Sequence, residues 1–241
     1  RSDRQYAQRA GRRMKLQQLL GEAPLKAILF DLDGTLVDSV PDLAAAMDAA
    51  LIHCGYLGAG EERVRTWVGN GAAKLVERAL DWAEGTSQRS GPPVPHGVLL
   101  DAFYLAYAED SSSRSQLFPG VIAALEYWQQ AGIKLACVTN KPERFTHPIL
   151  AEFGLQSLLP VVVGGDTLAQ RKPDPAPLLH ACERLGVAAG NTVMVGDSSN
   201  DIDAAHAAGM PAACVSCGYN HGAPIAEAGA DLLVDDFGSL R

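Results

Sequence analysis

The sequence predicts an α/β fold, in which a doubly wound parallel sheet carries helices on both faces and is interrupted by a helical insert. Three observations support this prediction. From Leu25 onward, short apolar runs alternate with segments of helical periodicity, which is the pattern of a parallel sheet covered by helices. Several of these runs end in polar or acidic residues. Between about residues 39 and 116 the alternation stops and only helical patterns continue.

The composition limits the class of protein. The chain has 241 residues, of which 47% are hydrophobic and 20% charged, so it can bury a full core as one large domain or as a domain with an insertion. The net charge of −8 disfavours nucleic acid and anionic membranes as partners, and no apolar run is long enough to span a bilayer. The five cysteines lack a regular framework, which favours a reducing, cytoplasmic location.

Residues 1–24 are interpreted as an N-terminal arm. Its first part, from Arg1 to about Arg13, is rich in arginine, polar and without clear periodicity, and Met14 follows it. A vector-derived or upstream-translated origin for part of the arm stays open, whereas the pattern of a transit peptide is weak. The fold prediction therefore begins at Leu25.

Six segments are predicted to be strands of the core. They are 26–30, 134–138, 161–163, 192–195, 212–215 and 232–234. Between them we predict a helix that ends near Gly132, a helix over 142–153, and a helix that ends at Gly186. The last of these carries Leu178, Leu179, Cys182 and Leu185 on one face. The core is therefore assigned to residues 25–38 and 117–241.

Residues 39–116 are predicted to form the helical insert. Ser39, Pro41 and Asp42 resemble a helix start, with Ser39 as the N-cap and Asp42 three residues later. Two further helices are predicted over about 72–83 and 98–109 from their apolar faces. The segment 85–95 between them holds Gly, Ser, Thr and three prolines, which indicates a flexible connection.

Candidate catalytic residues follow the predicted strands or lie on adjacent loops. They are Asp31, Asp33, Thr139, Asn140, Lys172 and Asp197. Each has an ordinary alternative as a turn residue, a helix cap or a solvated lysine. Because ligands bind outside the carboxyl ends of the strands in such sheets, their common position favours a single site.

These residue types suit the cleavage of a phosphate ester, which needs a nucleophile, an acid for the leaving oxygen and positive charge for the phosphoryl oxygens. Asp31 can attack phosphorus to form an aspartyl phosphate, and Asp33 can protonate the departing alkoxide and later activate water. Two carboxylates repel a phosphate, which predicts Mg²⁺ at Asp31 and Asp197. Thr139 can donate to a phosphate oxygen, and Lys172 supplies a point charge.

The same residues resemble the signature segments of the haloacid dehalogenase superfamily, and the similarity extends from about Leu25 to the C-terminus. The segments are Asp31-Leu32-Asp33-Gly34-Thr35, Thr139-Asn140, Lys172-Pro173 and Gly196-Asp197-Ser198-Ser199-Asn200-Asp201. The resemblance implies a Rossmann-like core and Mg²⁺ held by Asp31, Asp197 and the backbone carbonyl of Asp33. It implies that Asp201 supports the metal site or orients Lys172, and Ser198 is assigned a supporting role beside it.

The helical insert is similar to the family's small cap domain, which closes over the substrate and excludes bulk water. The segment 67–72 links two predicted cap helices. Gly69, Asn70 and Gly71 are predicted to bind substrate together with Thr139, Asn140 and Lys172, because glycines let backbone approach a small ligand. A simple interhelical turn is the alternative. The stretches 34–43, 67–71 and 139–141 resemble bacterial phosphoglycolate phosphatases, which implies 2-phosphoglycolate as the substrate.

Other activities are ranked by the same residues. Asp33 argues against a dehalogenase or a phosphonate hydrolase, because those members of the superfamily lack the second carboxylate. A phosphatase or phosphomutase for another small sugar phosphate stays open, as does an inactive phosphate-binding regulatory module. The expected partner is a small phosphorylated metabolite, and monomer and homodimer both stay open. The histidines are interpreted as surface or packing residues, although the loop of His221 could approach the site.

Overall fold

The computed structural model describes residues 14–86 and 91–240. The strands in this part of the chain are β1 (Ala27–Phe30), β2 (Val37–Asp38), β3 (Gln116–Leu117), β4 (Lys134–Val138), β5 (Val161–Val163), β6 (Thr192–Gly196), β7 (Ala212–Val215) and β8 (Leu232–Val234). Six of them form one sheet in the order β5-β4-β1-β6-β7-β8, and all neighbouring pairs are parallel. The predicted parallel sheet is confirmed.

Helices cover both faces of this sheet. The helices are α1 (Met14–Gln18), α2 (Val40–His53), α3 (Glu61–Arg65), α4 (Ala72–Thr86), α5 (His96–Glu109), α6 (Val121–Gln130), α7 (Glu143–Glu152), α8 (Ala176–Leu185) and α9 (Ser199–Ala207). In β1, Ile28 and Phe30 pack into one apolar core with α6 and α7, and Ala27 and Leu29 pack into a second core with α8 and α9. A strand covered on both sides is apolar throughout, which explains its unbroken hydrophobic run.

Two details of the core helices differ from the predictions. Leu179 was predicted on the buried face of α8, but it is 44% exposed. The buried face is formed by Leu178, Ala181, Cys182 and Leu185, a helical stripe that leaves position 179 on the outside. Helix α9 was not predicted, because its hydrophobic signal is short. It begins at a capping box formed by Ser198 and Asp201.

Helices α2 to α5 form a separate apolar core above the sheet. Ser39 is the N-cap residue of α2 as predicted, but its side chain makes no cap hydrogen bond; its Oγ donates instead to Asp33 Oδ1 at 2.5 Å. The ionised Asp33 is a strong acceptor for the hydroxyl proton, and this contact turns the Ser39 side chain away from the N–H groups of the first turn. Asp42 accepts instead from the backbone N–H groups of Arg114 and Ser115, at 3.1 and 2.7 Å.

The two connections to these helices are paired with each other. Strands β2 and β3 are antiparallel, with Val37 opposite Leu117 and Asp38 opposite Gln116. The Phe118 N–H donates to the Leu36 carbonyl at 3.1 Å, which extends the pairing toward the core. The predicted boundaries of the helical insert, at 38/39 and 116/117, fall at this two-stranded ribbon.

The N-terminal segment differs from the predicted arm as far as it is described. Leu16 in α1 is fully buried in the same core as Ile28, and the Leu25 N–H donates to Gln17 Oε1 at 2.8 Å. Leu16, Leu19 and Leu20 therefore pack on the core, while residues 1–13 lie outside the described residues, as do 87–90 of the predicted flexible connection. Among the described helices, none combines the length and apolar character needed to cross a bilayer.

Candidate active site

The predicted site residues meet at one edge of the sheet. Strands β4, β1 and β6 are neighbours, so the residues that follow them converge because parallel strands end at the same edge. Asp31, Thr139, Asn140, Lys172 and Asp197 are all buried there. The sequence therefore placed these residues together correctly, although their catalytic roles stay predictions.

Lys172 is held between two carboxylates. Its Nζ lies 2.9 Å from Asp31 Oδ1 and 2.7 Å from Asp201 Oδ1, and it donates to the Val138 carbonyl at 2.6 Å. Burial alone would lower the pKa of Lys172, but Asp201 and Asp31 outweigh that effect and raise it. The lysine is therefore a fixed cation beside Asp31.

A cluster of three carboxylates lies next to Lys172. Asp31, Asp197 and Asp201 each offer a carboxylate oxygen, and these oxygens lie within 4.8 Å of one another. Burial raises the pKa of Asp31 to about 6, despite the attraction of Lys172. Burial also raises the pKa of Asp197, and repulsion from Asp201 and Asp31 adds to the shift. The cluster therefore carries more negative charge than one lysine compensates.

One oxygen of the cluster lacks an aligned donor. Asp31 Oδ1 is buried and accepts no hydrogen bond among the described residues, since Lys172 Nζ contacts it as an ion pair outside hydrogen-bond alignment. A hard divalent cation would bind such a carboxylate oxygen, which is buried without an aligned donor and has other carboxylates beside it. The donor set therefore fits a metal ion.

The backbone around Asp197 is shaped by the glycine of the first signature segment. Asp197 Oδ2 accepts from the Tyr219 N–H at 2.7 Å, and its Oδ1 accepts from Thr35 Oγ1 at 3.2 Å. Gly34 has a φ of +86°, and a Cβ there would lie 2.3 Å from Asp197 Oδ2. A side chain at position 34 would displace this carboxylate, so glycine is required on both counts.

Asp33 faces the helical insert rather than the carboxylate cluster. Its Oδ1 accepts from Ser39 Oγ, and its Oδ2 lies 3.1 Å from Lys141 Nζ. Lys141 was not among the predicted site residues. A lysine after Asn140 at the start of a helix resembles a solvated residue in sequence, and only the fold shows that it is 6% exposed.

A cavity lies between the core and the helical insert, above the carboxyl edge of the sheet. Asp31, Asp33, Thr139, Asn140 and Lys141 form its floor, and the helical insert contributes apolar and aromatic walls. The residues of the insert are Leu43, Val68, Gly69, Gly71, Ala72, Leu75, Phe103, Tyr104 and Tyr107. A ligand in this cavity would contact the core and the helical insert at once.

The loop of the helical insert is joined to the core, although not by every predicted residue. Asn140 Nδ2 donates to the carbonyls of Lys172 and Gly69, at 3.0 and 3.3 Å. Gly71 lines the cavity, but Asn70 does not. The Asn70 Oδ1 accepts from Arg78 Nη2 at 2.8 Å, and a contact of this side chain with substrate stays a prediction.

Two further core residues reach the same loop. Asn200 Nδ2 donates to the Gly69 carbonyl at 3.2 Å, and His221 Nδ1 donates to the Val68 carbonyl at 2.8 Å. His221 Nε2 then accepts from Asn200 Nδ2 at 3.3 Å. Burial lowers the pKa of His221, which agrees with a neutral ring that donates at one nitrogen and accepts at the other. Neither residue was predicted to have a role at the site.

The supporting residues have defined partners. Asp201 Oδ1 accepts from Lys172, as described above. Its Oδ2 accepts from the Asp197 and Ser198 N–H groups, at 3.2 and 3.1 Å, and from Ser198 Oγ at 2.8 Å. Asp201 therefore connects the lysine to the loop that carries Asp197. Ser198 acts through Asp201 and does not line the cavity.

Comparison with known proteins agrees with this architecture. Residues 25–209 match the haloacid dehalogenase-like hydrolase family. A phosphoglycolate phosphatase of Pseudomonas syringae pv. tomato is 46% identical over 224 residues, which are 93% of this chain and 81% of the relative. A predicted phosphoglycolate phosphatase from Haemophilus somnus 129PT has a crystal structure with a TM-score of 0.86 and 40% identity, covering 91% of this chain and 98% of that one.

A more distant solved structure is CbbY from Rhodobacter sphaeroides in complex with phosphate. It has a TM-score of 0.74 and 26% identity, over 90% of this chain and 96% of that one. The chain belongs to the haloacid dehalogenase-like hydrolases, and the predicted resemblance is confirmed. It is an enzyme of the hydrolase class. Hydrolases of this family generally use a divalent metal, and the buried carboxylate cluster fits one.

Proposed function

We propose that the protein is a Mg²⁺-dependent phosphomonoester hydrolase that converts 2-phosphoglycolate to glycolate and phosphate through an aspartyl-phosphate intermediate. The observation that carries this proposal is the pairing of Asp31 with Lys172 beside a carboxylate cluster, with Asp33 on the cavity side. The curated relative from Pseudomonas syringae supports the substrate by its name. The helical insert, residues 39–116, is proposed to act as the cap over this substrate.

The reaction divides between the two carboxylates. A carboxylate oxygen of Asp31 forms a bond to phosphorus while the bond from phosphorus to the ester oxygen breaks. Asp33 gives its proton to that leaving oxygen, so glycolate departs as an alcohol. Asp33 then removes a proton from water, which attacks the aspartyl phosphate and releases inorganic phosphate. Both carboxylates return to their initial protonation states, so the cycle balances.

Thr139, Asn140 and Lys172 position the phosphoryl group and neutralise its charge. The hydroxyl of Thr139 accepts from the Lys141 N–H at 3.2 Å, which leaves its own proton free to donate to a phosphate oxygen. Asn140 fixes the backbone at Lys172 and the loop at Gly69. Lys172 places its charge beside Asp31, where the phosphoryl oxygens would arrive.

Mg²⁺ would be held by the side chains of Asp31 and Asp197 and by the backbone carbonyl of Asp33. It would supply the positive charge that lets an anionic phosphate approach these carboxylates. Asp201 would support the site through Lys172 and through the loop of Asp197. A cytoplasmic location and a monomeric or homodimeric state stay predictions.

A panel of phosphomonoesters tests the proposal. We expect kcat/KM to be highest for 2-phosphoglycolate, compared with hexose 6-phosphates, other sugar phosphates and nucleotides. Asp31→Asn should lower kcat by roughly 10³-fold or more, because the nucleophile is lost. Asp203→Asn is the matched control, since Asp203 is exposed on α9 and should keep full activity.

The outcomes separate the alternatives. A clear preference for a sugar phosphate would replace the substrate and keep the phosphatase. Conversion of a sugar phosphate into its isomer, without release of phosphate, would indicate a phosphomutase. Equal and negligible turnover by the wild-type and Asp31→Asn proteins would favour a phosphate-binding regulatory module.

A further inference from the structure

Lys141 is a buried cation that the proposed reaction does not use. Its side chain is 5% exposed, its Nζ lies 3.1 Å from Asp33 Oδ2, and it sits 4.8 Å from the centre of the Tyr107 ring. The ammonium group therefore lies against a carboxylate and an aromatic ring, in a cavity whose other walls are largely apolar.

Lys141 is set apart from the other basic side chains near the cavity. Within the part of the chain that the structure describes, Lys141 is the one basic residue among those that line it. Lys172 is turned into the sheet edge, where it contacts Asp31 and Asp201. Arg144 lies over the Tyr104 ring at 4.4 Å and is exposed. An anionic group inside the cavity, beyond the phosphate, would therefore meet Lys141.

Lys141 lies on the side of the site where the leaving group of the ester would be. In the proposed reaction Asp33 lies within hydrogen-bond distance of the leaving oxygen, about 2.7 Å. Since Lys141 Nζ is 3.1 Å from Asp33 Oδ2, the ammonium lies within about 6 Å of that oxygen. In 2-phosphoglycolate the carboxyl carbon is two bonds beyond the same oxygen. The carboxylate is therefore within reach of Lys141 while the phosphoryl group faces Asp31.

We propose that Lys141 binds the carboxylate of the substrate and thereby determines specificity for a leaving group that carries a negative charge. This assignment rests on the proposed function. The surrounding side chains strengthen the ion pair, because Tyr107, Phe145 and Leu43 line the cavity and limit screening by water. An uncharged leaving group would form no ion pair with Lys141, which would keep only its contacts with Asp33 and the Tyr107 ring.

The test compares two substrates of nearly equal shape, 2-phosphoglycolate and 2-hydroxyethyl phosphate, which differ in the charge of the leaving group. We expect the wild-type enzyme to prefer 2-phosphoglycolate. Lys141→Gln should reduce the ratio of the two kcat/KM values by about 10- to 100-fold, since a charged hydrogen bond is lost from one substrate only. Most of the loss should be in KM for 2-phosphoglycolate.

Two controls accompany the measurement. Lys74→Gln removes the same charge from an exposed lysine on α4, which pairs with Glu77 at 2.5 Å, and it should leave the ratio unchanged. Lys141→Met keeps the length of the side chain and its packing on Tyr107, so it makes the same comparison if Lys141→Gln does not fold. Circular dichroism establishes folding of each variant.

Two results would overturn the assignment, and they differ. If the wild-type enzyme shows no preference for 2-phosphoglycolate, the proposed function and the role of Lys141 fail together. If the wild type shows that preference and both folded Lys141 variants retain it, or lose activity equally on both substrates, the role of Lys141 fails alone. A ratio that collapses in both variants supports the assignment.

Discussion

Asp201 has two oxygens with different partners, and each partner belongs to a different part of the site. One oxygen holds Lys172, and the other holds the loop of Asp197 through its N–H groups and Ser198. A carboxylate with such complete partners is well placed to position neighbours rather than to react. Asp31 differs from Asp201 in this respect, because its Oδ1 has no aligned hydrogen-bond donor among the described residues.

At the residue scale we predict that Mg²⁺ raises the Tm of the wild-type protein. A cation relieves the repulsion among Asp31, Asp197 and Asp201 and binds only the folded state, which contributes about 2.7 kcal/mol at 100 times its Kd. Asp197→Asn should remove most of the shift, and Asp203→Asn should keep it. Thermal unfolding with and without Mg²⁺ measures both. An undiminished shift in Asp197→Asn would refute this assignment of the ligand.

Residues that stand directly after a strand could be placed at the site from the sequence alone. Asp31, Thr139 and Asp197 follow β1, β4 and β6, so their convergence depends only on the sheet being parallel. Lys141 and His221 were missed because their positions depend on where the helical insert lies. A partner from the insert is distant in sequence, and no local pattern indicates it.

At the scale of elements, Asp42 has a role that its position in the sequence concealed. It was predicted to be part of a helix start, three residues after the N-cap Ser39, but its carboxylate accepts from the N–H groups of Arg114 and Ser115. It is 1% exposed. Asp42 therefore fixes the start of α2 to the segment that returns the chain to the core, which local helix rules do not predict.

Removing this carboxylate should destabilise the protein. Asp42→Ala leaves the buried Ser115 N–H and hydroxyl without their acceptor, and we expect the free energy of unfolding to fall by about 2 kcal/mol. Asp101→Ala, on the exposed side of α5, should change it by less than about 0.5 kcal/mol. Urea denaturation of both variants measures the difference. Equal stabilities would contradict the proposed link.

Helices were predicted well where one apolar face is long, as in α4, whose Leu75, Val76, Ala79 and Ala83 are buried. Helix α9 escaped prediction because it has nine residues and begins with polar ones. Its stability comes from its cap and from packing on β6 and β7. Tertiary contacts stabilise such a helix, and they cannot be inferred from the local sequence.

At the scale of the whole molecule, one loop of the helical insert accepts several of the hydrogen bonds that join the insert to the core. Asn140, Asn200 and His221 reach the carbonyls of Val68 and Gly69. All of these contacts go to one loop. The arrangement of the two bodies should therefore be sensitive to the backbone of that loop.

Gly69→Ala tests this dependence. Gly69 has a φ of +123°, and a Cβ there would lie 2.3 Å from His221 Cε1. We expect kcat/KM to fall by about 10- to 100-fold, since the cavity would lose its fit to the substrate. Gly97→Ala is the control: a Cβ at that position in α5 meets nothing within 4 Å, so activity should not change. Full activity in Gly69→Ala would mean that this docking is dispensable.

The ribbon of β2 and β3 also bears on the order in which the molecule forms. Strand β1 must find β4 across an intervening stretch of about a hundred residues, whose closure carries an entropic cost. Once the insert has folded and its two ends are paired, the effective stretch is about two dozen residues, which lowers that cost by about 1 kcal/mol. Early folding of the insert would therefore accelerate assembly of the central sheet.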